Sequence, residues 1–236
     1  MSKSAREEVL SKIRGALKHA APRGDVGASN GAGQSLRQVG KGDGPSRADL
    51  ISRFEIELGR VGGRFYIADG APAACEYVRS LAPIGASTVV GWDSQVIREI
   101  GLAERLEQFG VDFVPDAGRL SSDEFVRKSA EAAIGVTAVD YALADTGTLV
   151  LMSGRGRSRA ASLLPPIHVA LVKSEQLISG LENLFGSSNT GKRFSGRDIG
   201  SAVTFITGPS RTADIELTLV VGVHGPQQLH VILLSD

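Results

Sequence analysis

Between Arg64 and Val139 short apolar runs alternate with segments of helical length, and no other feature of the chain limits its fold so strongly. Arg64-Phe-Tyr-Ile-Ala68, Ser87-Thr-Val-Val-Gly91, Val111 to Val114 and Gly135 to Val139 read as strands. The segments between them read as helices: one opened by Pro72 and running to Ser80, one near Leu102 to Phe109, and one over Ser122 to Ala133 with Ser121 or Ser122 as N-cap. Strand and helix in such alternation wind a mostly parallel sheet. The second half adds strands at Gly147 to Ser153, Ile167 to Val172, Ala202 to Thr207 and Leu229 to Leu234, with a helix expected over Ser174 to Phe185. Strands that are apolar at consecutive positions need cover on both faces, so the expected fold is α/β, a three-layer sandwich.

This domain is expected over residues 48–236. Ahead of it, residues 1–19 read as an amphipathic helical arm, because Val9, Leu10, Ile13 and Leu17 share one stripe. Residues 20–47 carry seven glycines and only Val26, Leu36 and Val39 as sizeable apolar groups, a composition that predicts a flexible tether. Lys+Arg and Asp+Glu both number 26, so no net field draws the chain to nucleic acid. No apolar run approaches the ~20 residues of a bilayer span, and the charged first residues do not read as a signal segment, which predicts a cytoplasmic protein with no membrane span. Cys75 is the single cysteine. It excludes an internal disulfide and an all-cysteine iron–sulfur site, and its helical surroundings mark it as a core residue.

Two Gly-Pro corners, Gly208-Pro209 and Gly225-Pro226, fix the backbone of Val203 to Val231 sharply. The first strings together Ser210, Arg211 and Thr212 where a strand ends, and hydroxyls with a cation at such a place suit an anion. Gly208 to Thr212 also loosely resembles a nucleophile elbow, but Thr212 stands where the second glycine belongs. On the loop Gly154 to Ser162, Arg155, Arg157 and Arg159 crowd together, which reads either as a site for a phosphate, a carboxylate or an acidic partner or as a solvated basic loop. Asp145 and Thr146 precede a strong strand; Asp145 is open to three roles, as general base, metal ligand or turn cap. Gly186 to Arg193 approaches the phosphate-loop pattern but has Arg193 in the Ser/Thr place and follows a helix rather than a strand. Of the histidines, His168 and His230 sit in apolar strands as hydrogen-bonded core groups, whereas His224, between Gly222 and Gly225, is the better ligand contact. The histidine spacing supports no metal site.

Ala144-Asp-Thr-Gly-Thr-Leu-Val-Leu, Ser162-Leu-Leu-Pro-Pro-Ile-His-Val, Ile206-Thr-Gly-Pro-Ser-Arg-Thr-Ala-Asp-Ile-Glu216 and Gly222-Val-His-Gly-Pro226 together resemble the lactate-utilisation protein C (LUD-domain) family. The resemblance covers most of Ala144 to Leu234; Ala48 to Val139 agrees in element pattern only. It implies a fold similar to the sugar-isomerase and coenzyme-A-transferase superfamily. It further implies a part in bacterial oxidation of L-lactate to pyruvate, as an accessory or ligand-binding subunit with no cofactor of its own beside partners that carry iron–sulfur clusters. The alternative is a stand-alone enzyme acting on a phosphorylated or coenzyme-A-linked small acid. Asp145 stands where relatives are expected to carry Glu, and no catalytic residue is carried over.

The site expected from these readings is one cleft at the carboxyl edge of the sheet, where Asp145, Thr146, Arg157, Arg159, Ser210, Arg211, Thr212 and His224 meet a small anionic ligand. Arg211 would hold the anion together with a loop arginine, or else pair with Asp214 or Glu216 and pin the corner.

Overall fold

Ser46 starts the fold by accepting a hydrogen bond from the Asp49 N–H while the Asp49 carboxylate reaches back to the Ser46 N–H, a reciprocal cap on helix α1 (Arg47–Arg60). A computed structural model describes residues 44–82, 88–118, 120–185, 200–213 and 219–235. The expected arm, the tether up to residue 43, residues 186–199 of the polar excursion, Asp214 and Glu216 lie outside the described residues.

After α1 come β1 (Arg64–Ala68), α2 (Gly70–Leu81), β2 (Thr88–Gly91), the short α3 (Gln95–Glu99) and α4 (Leu102–Glu107), β3 (Asp112–Pro115), α5 (Ser122–Glu131) and β4 (Ile134–Ala138). The second half holds β5 (Tyr141–Leu143), β6 (Thr148–Ser153), α6 (Ala160–Leu163), β7 (Ile167–Lys173), β8 (Leu177–Ile178), α7 (Leu181–Phe185), β9 (Ala202–Ile206), β10 (Arg211–Ala213), β11 (Leu219–Val221) and β12 (Gln228–Leu234). Ser121, not Ser122, caps α5.

Six strands make one sheet in the order β1-β12-β7-β4-β2-β3, and every neighbouring pair is parallel. The α/β architecture with a mostly parallel sheet is thus the one the strand–helix alternation predicts. Side chains alternate across the sheet, so adjacent histidines separate to opposite faces: His230 of β12 meets Tyr77 of α2, and His168 of β7 faces the side on which α6 packs. Cys75 is a buried core group of α2, with its thiol pushed up to about 11 by burial.

β8, β5, β6 and β9 form a second sheet, in which β6 runs antiparallel to both β5 and β9. One face of it, carrying Ala142, Leu149 and Leu151, joins the main core; the other, with Leu143, Val150 and Ile178, is covered by Leu184 of α7. Double cover explains why β6 is apolar without alternation although its neighbours are antiparallel.

The helix expected over Ser174 to Phe185 is not formed as one element. Residues 174–176 make a 3₁₀ turn, and Leu177 and Ile178 pair with Ala142 and Leu143 as a parallel strand. The Gln176 side chain fixes this turn by accepting from the Lys173 N–H and donating to the Val139 carbonyl. Beyond it, Gly180 lies against the Asp145 carboxylate, where a Cβ would not fit. Residues 219–221 are a strand paired antiparallel with Arg211–Ala213. Among the described residues no helix is long and apolar enough to cross a membrane.

Candidate functional site

Gly135 of β4 is the residue that lets a pocket form. It sits opposite His168 in the sheet, and the backbone of α6 packs so closely over it that a Cβ would run into the Ala161 carbonyl. Ser162 and Leu163 are thereby brought beside His168. From the other side come two loops zipped together by backbone bonds: Ser210 N–H donates to the Pro226 carbonyl at 2.9 Å, and Gly222 N–H to the Ser210 carbonyl at 2.9 Å. Gly225 permits the approach, since a Cβ there would lie 3.0 Å from that of Ser210. Gln227 N–H then donates to the Pro166 carbonyl at 2.8 Å, which ties both loops to the start of β7. The result is a cavity of about 210 Å³ whose walls include Leu163, Phe205, Pro226 and Leu229, with His168, Ser210 and His224 as polar members.

His168 is 1 % exposed. Its Nε2 is hydrogen-bonded to the Thr137 hydroxyl at 2.9 Å, and its Nδ1 has no partner among the described residues. A buried polar atom without a partner costs about 1–3 kcal/mol. Burial lowers the ring's pKa from 6.5 to about 3, so the imidazole is neutral at physiological pH. Depending on the tautomer, the Thr137 hydroxyl donates to Nε2 and Nδ1 carries the proton, or Nε2–H donates to Thr137 and Nδ1 is an acceptor. Either way the residue is a hydrogen-bonding group, and far too weak a base at that pKa to hold a proton taken from substrate. Among the described residues no Asp, Glu, Lys or Arg side chain lines this cavity.

The arginine loop lies elsewhere, over the carboxyl ends of β2 and β3. Asp93 N–H donates to the Gly156 carbonyl at 2.9 Å, the Trp92 indole to the Ser158 carbonyl at 2.8 Å, and Ser158 N–H to the Asp116 carboxylate at 2.8 Å. Arg157 is held between the Trp92 ring, 4.5 Å from its centroid, and Asp140, whose two oxygens both lie 2.8 Å from Nη2. Its charge is spent on the fold.

The eight residues expected to share one cleft are therefore divided. Ser210 and His224 line the cavity, which opens beside the amino ends of β7 and β12 and not at the carboxyl edge. Arg157 and Arg159 line a second cleft at the carboxyl edge. Asp145 and Thr146 line neither; the Thr146 hydroxyl donates to Asp145 at 3.1 Å, and the carboxylate rests against Gly180. Arg211 turns away from the cavity and donates to the Val61 carbonyl at 2.5 Å, over Gly62, while Thr212 lies in β10 opposite Val220. Arg211 pins the corner to the end of α1. Arg211→Ala is expected to lower stability by about 1 kcal/mol in urea unfolding while leaving ligand affinity at the cavity unchanged.

Sequence reading passed over His168, because a histidine in an apolar strand is usually fully satisfied. The available signal was Gly135 at the facing register, which leaves room on that face for an approaching backbone and a cavity next to it.

Residues 51–234 match the family described as the LUD domain. The Lactate utilization protein C of Halalkalibacterium halodurans is 35% identical over 156 residues, 66% of this chain and 66% of that protein, so the chain spans slightly under two thirds of that relative. The Lactate utilization protein C of Anoxybacillus flavithermus is 30% identical over 193 residues, 82% of this chain and 84% of that protein. Among solved structures, a DUF162 family protein from Deinococcus radiodurans matches with a TM-score of 0.53 at 22% identity, covering 81% of this chain and 100% of that one, a likeness of fold.

Proposed function

We propose a role in the utilisation of L-lactate for this chain, which belongs to the LUD-domain family: it is the subunit that binds the small acid beside redox partners. The relatives' names support the pathway, and the partnerless Nδ1 of buried His168 in the cavity wall is the observation that carries the site. At about 210 Å³ the cavity is smaller than the ~300–1,000 Å³ of drug-sized sites, which suits a ligand of a few heavy atoms. Leu163, Phe205 and Leu229 offer an apolar wall to the methyl group of lactate or pyruvate, while His168 Nδ1 bonds the carboxylate or the 2-oxygen. His224, exposed at the rim, contacts the ligand from the solvent side.

Oxidation of lactate to pyruvate releases two electrons and two protons. A chain with one cysteine has too few thiolates for an iron–sulfur cluster of its own, and the family resemblance implies partner proteins with such clusters as the electrons' destination. The reading requires L-lactate or pyruvate to bind the isolated chain. Titration calorimetry is expected to detect that binding, and His168→Ala to weaken it by about 2 kcal/mol, the range for a hydrogen bond to a charged group. An unresponsive wild-type protein, or a variant that binds equally well, overturns the reading.

A further inference from the structure

The cleft at the carboxyl edge has its own chemistry. Its volume is about 370 Å³, and its lining combines the loop 154–159 with Ser153 at the end of β6 and Phe125 and Val126 of α5. Arg157 is neutralised by Asp140, but Arg155 and Arg159 are exposed and have no ion-pair partner among the described residues. Among the described residues Asp116 is the one carboxylate in the lining, and one of its oxygens already accepts from the Ser158 N–H. Ser153 lines the cleft; its hydroxyl is buried, in a residue 5 % exposed, and has no hydrogen-bond partner among the described residues. Its own carbonyl is occupied by the Ser201 N–H, so the strand's backbone is satisfied while its side chain waits for an acceptor.

We propose that this cleft is a second ligand site, distinct from the lactate cavity, that binds the phosphate group of a small organic phosphate. Two guanidinium forks and a buried hydroxyl donor match the tetrahedral oxygens of a phosphate, which arginine holds through paired charge-assisted bonds. The position agrees with the general placement of ligands in open α/β sheets, outside the carboxyl ends of the strands and close to where the strand order reverses. That reversal lies at β2, from which the chain passes outward to β3 and then back to β4. Phe125 and Val126 form an apolar wall beside the arginines, which fits a ligand with an organic body attached to the phosphate.

Inorganic phosphate and adenosine 5′-monophosphate, each titrated calorimetrically against the full chain, test the site. Both are expected to bind, the nucleotide at least several-fold more tightly because only it reaches the apolar wall. Arg155→Ala combined with Arg159→Ala is expected to weaken both by tenfold or more and to leave L-lactate affinity unchanged. Ser153→Ala removes a hydroxyl that has no partner among the described residues, so thermal stability should hold while phosphate affinity falls several-fold. Absence of phosphate binding, or affinity that survives either the arginine or the serine substitution, overturns the proposal. Equal affinity for phosphate and nucleotide overturns its organic part and leaves a site for the free ion. Since lactate binding is read separately, failure of either site is visible without the other.

Discussion

Gly135→Ala is expected to destabilise the domain by about 3 kcal/mol or more, the upper end of what overpacking costs when the obstacle cannot yield. A methyl at this position would fall within bonding range of the Ala161 carbonyl oxygen, 2.9 Å from the carbonyl carbon and 3.0 Å from the Pro165 ring. The first two are backbone atoms of α6, so relief requires the helix to lift from the sheet. Neighbouring β4 is buried along its whole length and paired on both edges, which leaves it no room to retreat. For a domain of this size the loss corresponds to a fall in Tm of roughly 6–12 °C. The same movement carries Ser162 and Leu163 away from His168, so L-lactate binding by the surviving folded fraction should fall as well. Gly59→Ala is the control: it lies on the exposed face of α1 with no atom near a new Cβ, and should stabilise by about 0.5–1 kcal/mol. Urea unfolding of the two variants decides the matter, and equal stability would show that α6 is free to shift.

The parallel sheet was legible in the sequence because each strand from Arg64 to Val114 is followed by a segment of helical length, two of them with a start signal at Pro72 and Ser121. The second sheet was not, because β6 carries the uninterrupted apolar run of a parallel strand; its antiparallel neighbours become visible only once Leu184 is known to cover the outer face. Ser174 to Phe185 misled through its apolar spacing, Leu177, Ile178, Leu181 and Leu184, which suits a helix as well as a strand followed by a short helix. Pairing with β5 decided between them, and that is a contact between residues distant in sequence. The site shows the same limit. Ser210 and His224 could be singled out because Gly-Pro corners mark rigid loops, but the edge of the sheet at which those loops meet depends on β12 adding beside β7. Arg157 and Arg211 have the charge for ligand binding; local sequence gave no means of seeing Trp92 and Asp140 around the one, or the Val61 carbonyl under the other.

Stability should fall steeply as pH drops from 7 to 5, through His168 and His230. Burial lowers His168 to about 3, and burial, followed by the nearby charge of Arg64, lowers His230 to about 4. In the unfolded chain both return to an ordinary value near 6.5. Between these limits the unfolded state binds protons that the folded state refuses, so stability is complete above about pH 6.5 and declines as the pH falls toward the folded values. Each histidine adds a slope that approaches about 1.4 kcal/mol per pH unit. His230 is held neutral in place by the Tyr77 hydroxyl at 3.0 Å and the Gln228 side chain at 3.1 Å, whereas His168 has only Thr137. The carboxylates of Asp49, Glu99 and Glu124 are lowered by hydrogen bonds and act only below this window. Urea midpoints measured at pH 7, 6 and 5 are expected to fall in step, and His168→Gln to remove about half of the slope. A wild-type profile flat over that range would show that the rings are protonated in the fold. Bound L-lactate should reduce the slope in turn, because a carboxylate beside His168 favours the charged ring and raises its pKa toward the ordinary value.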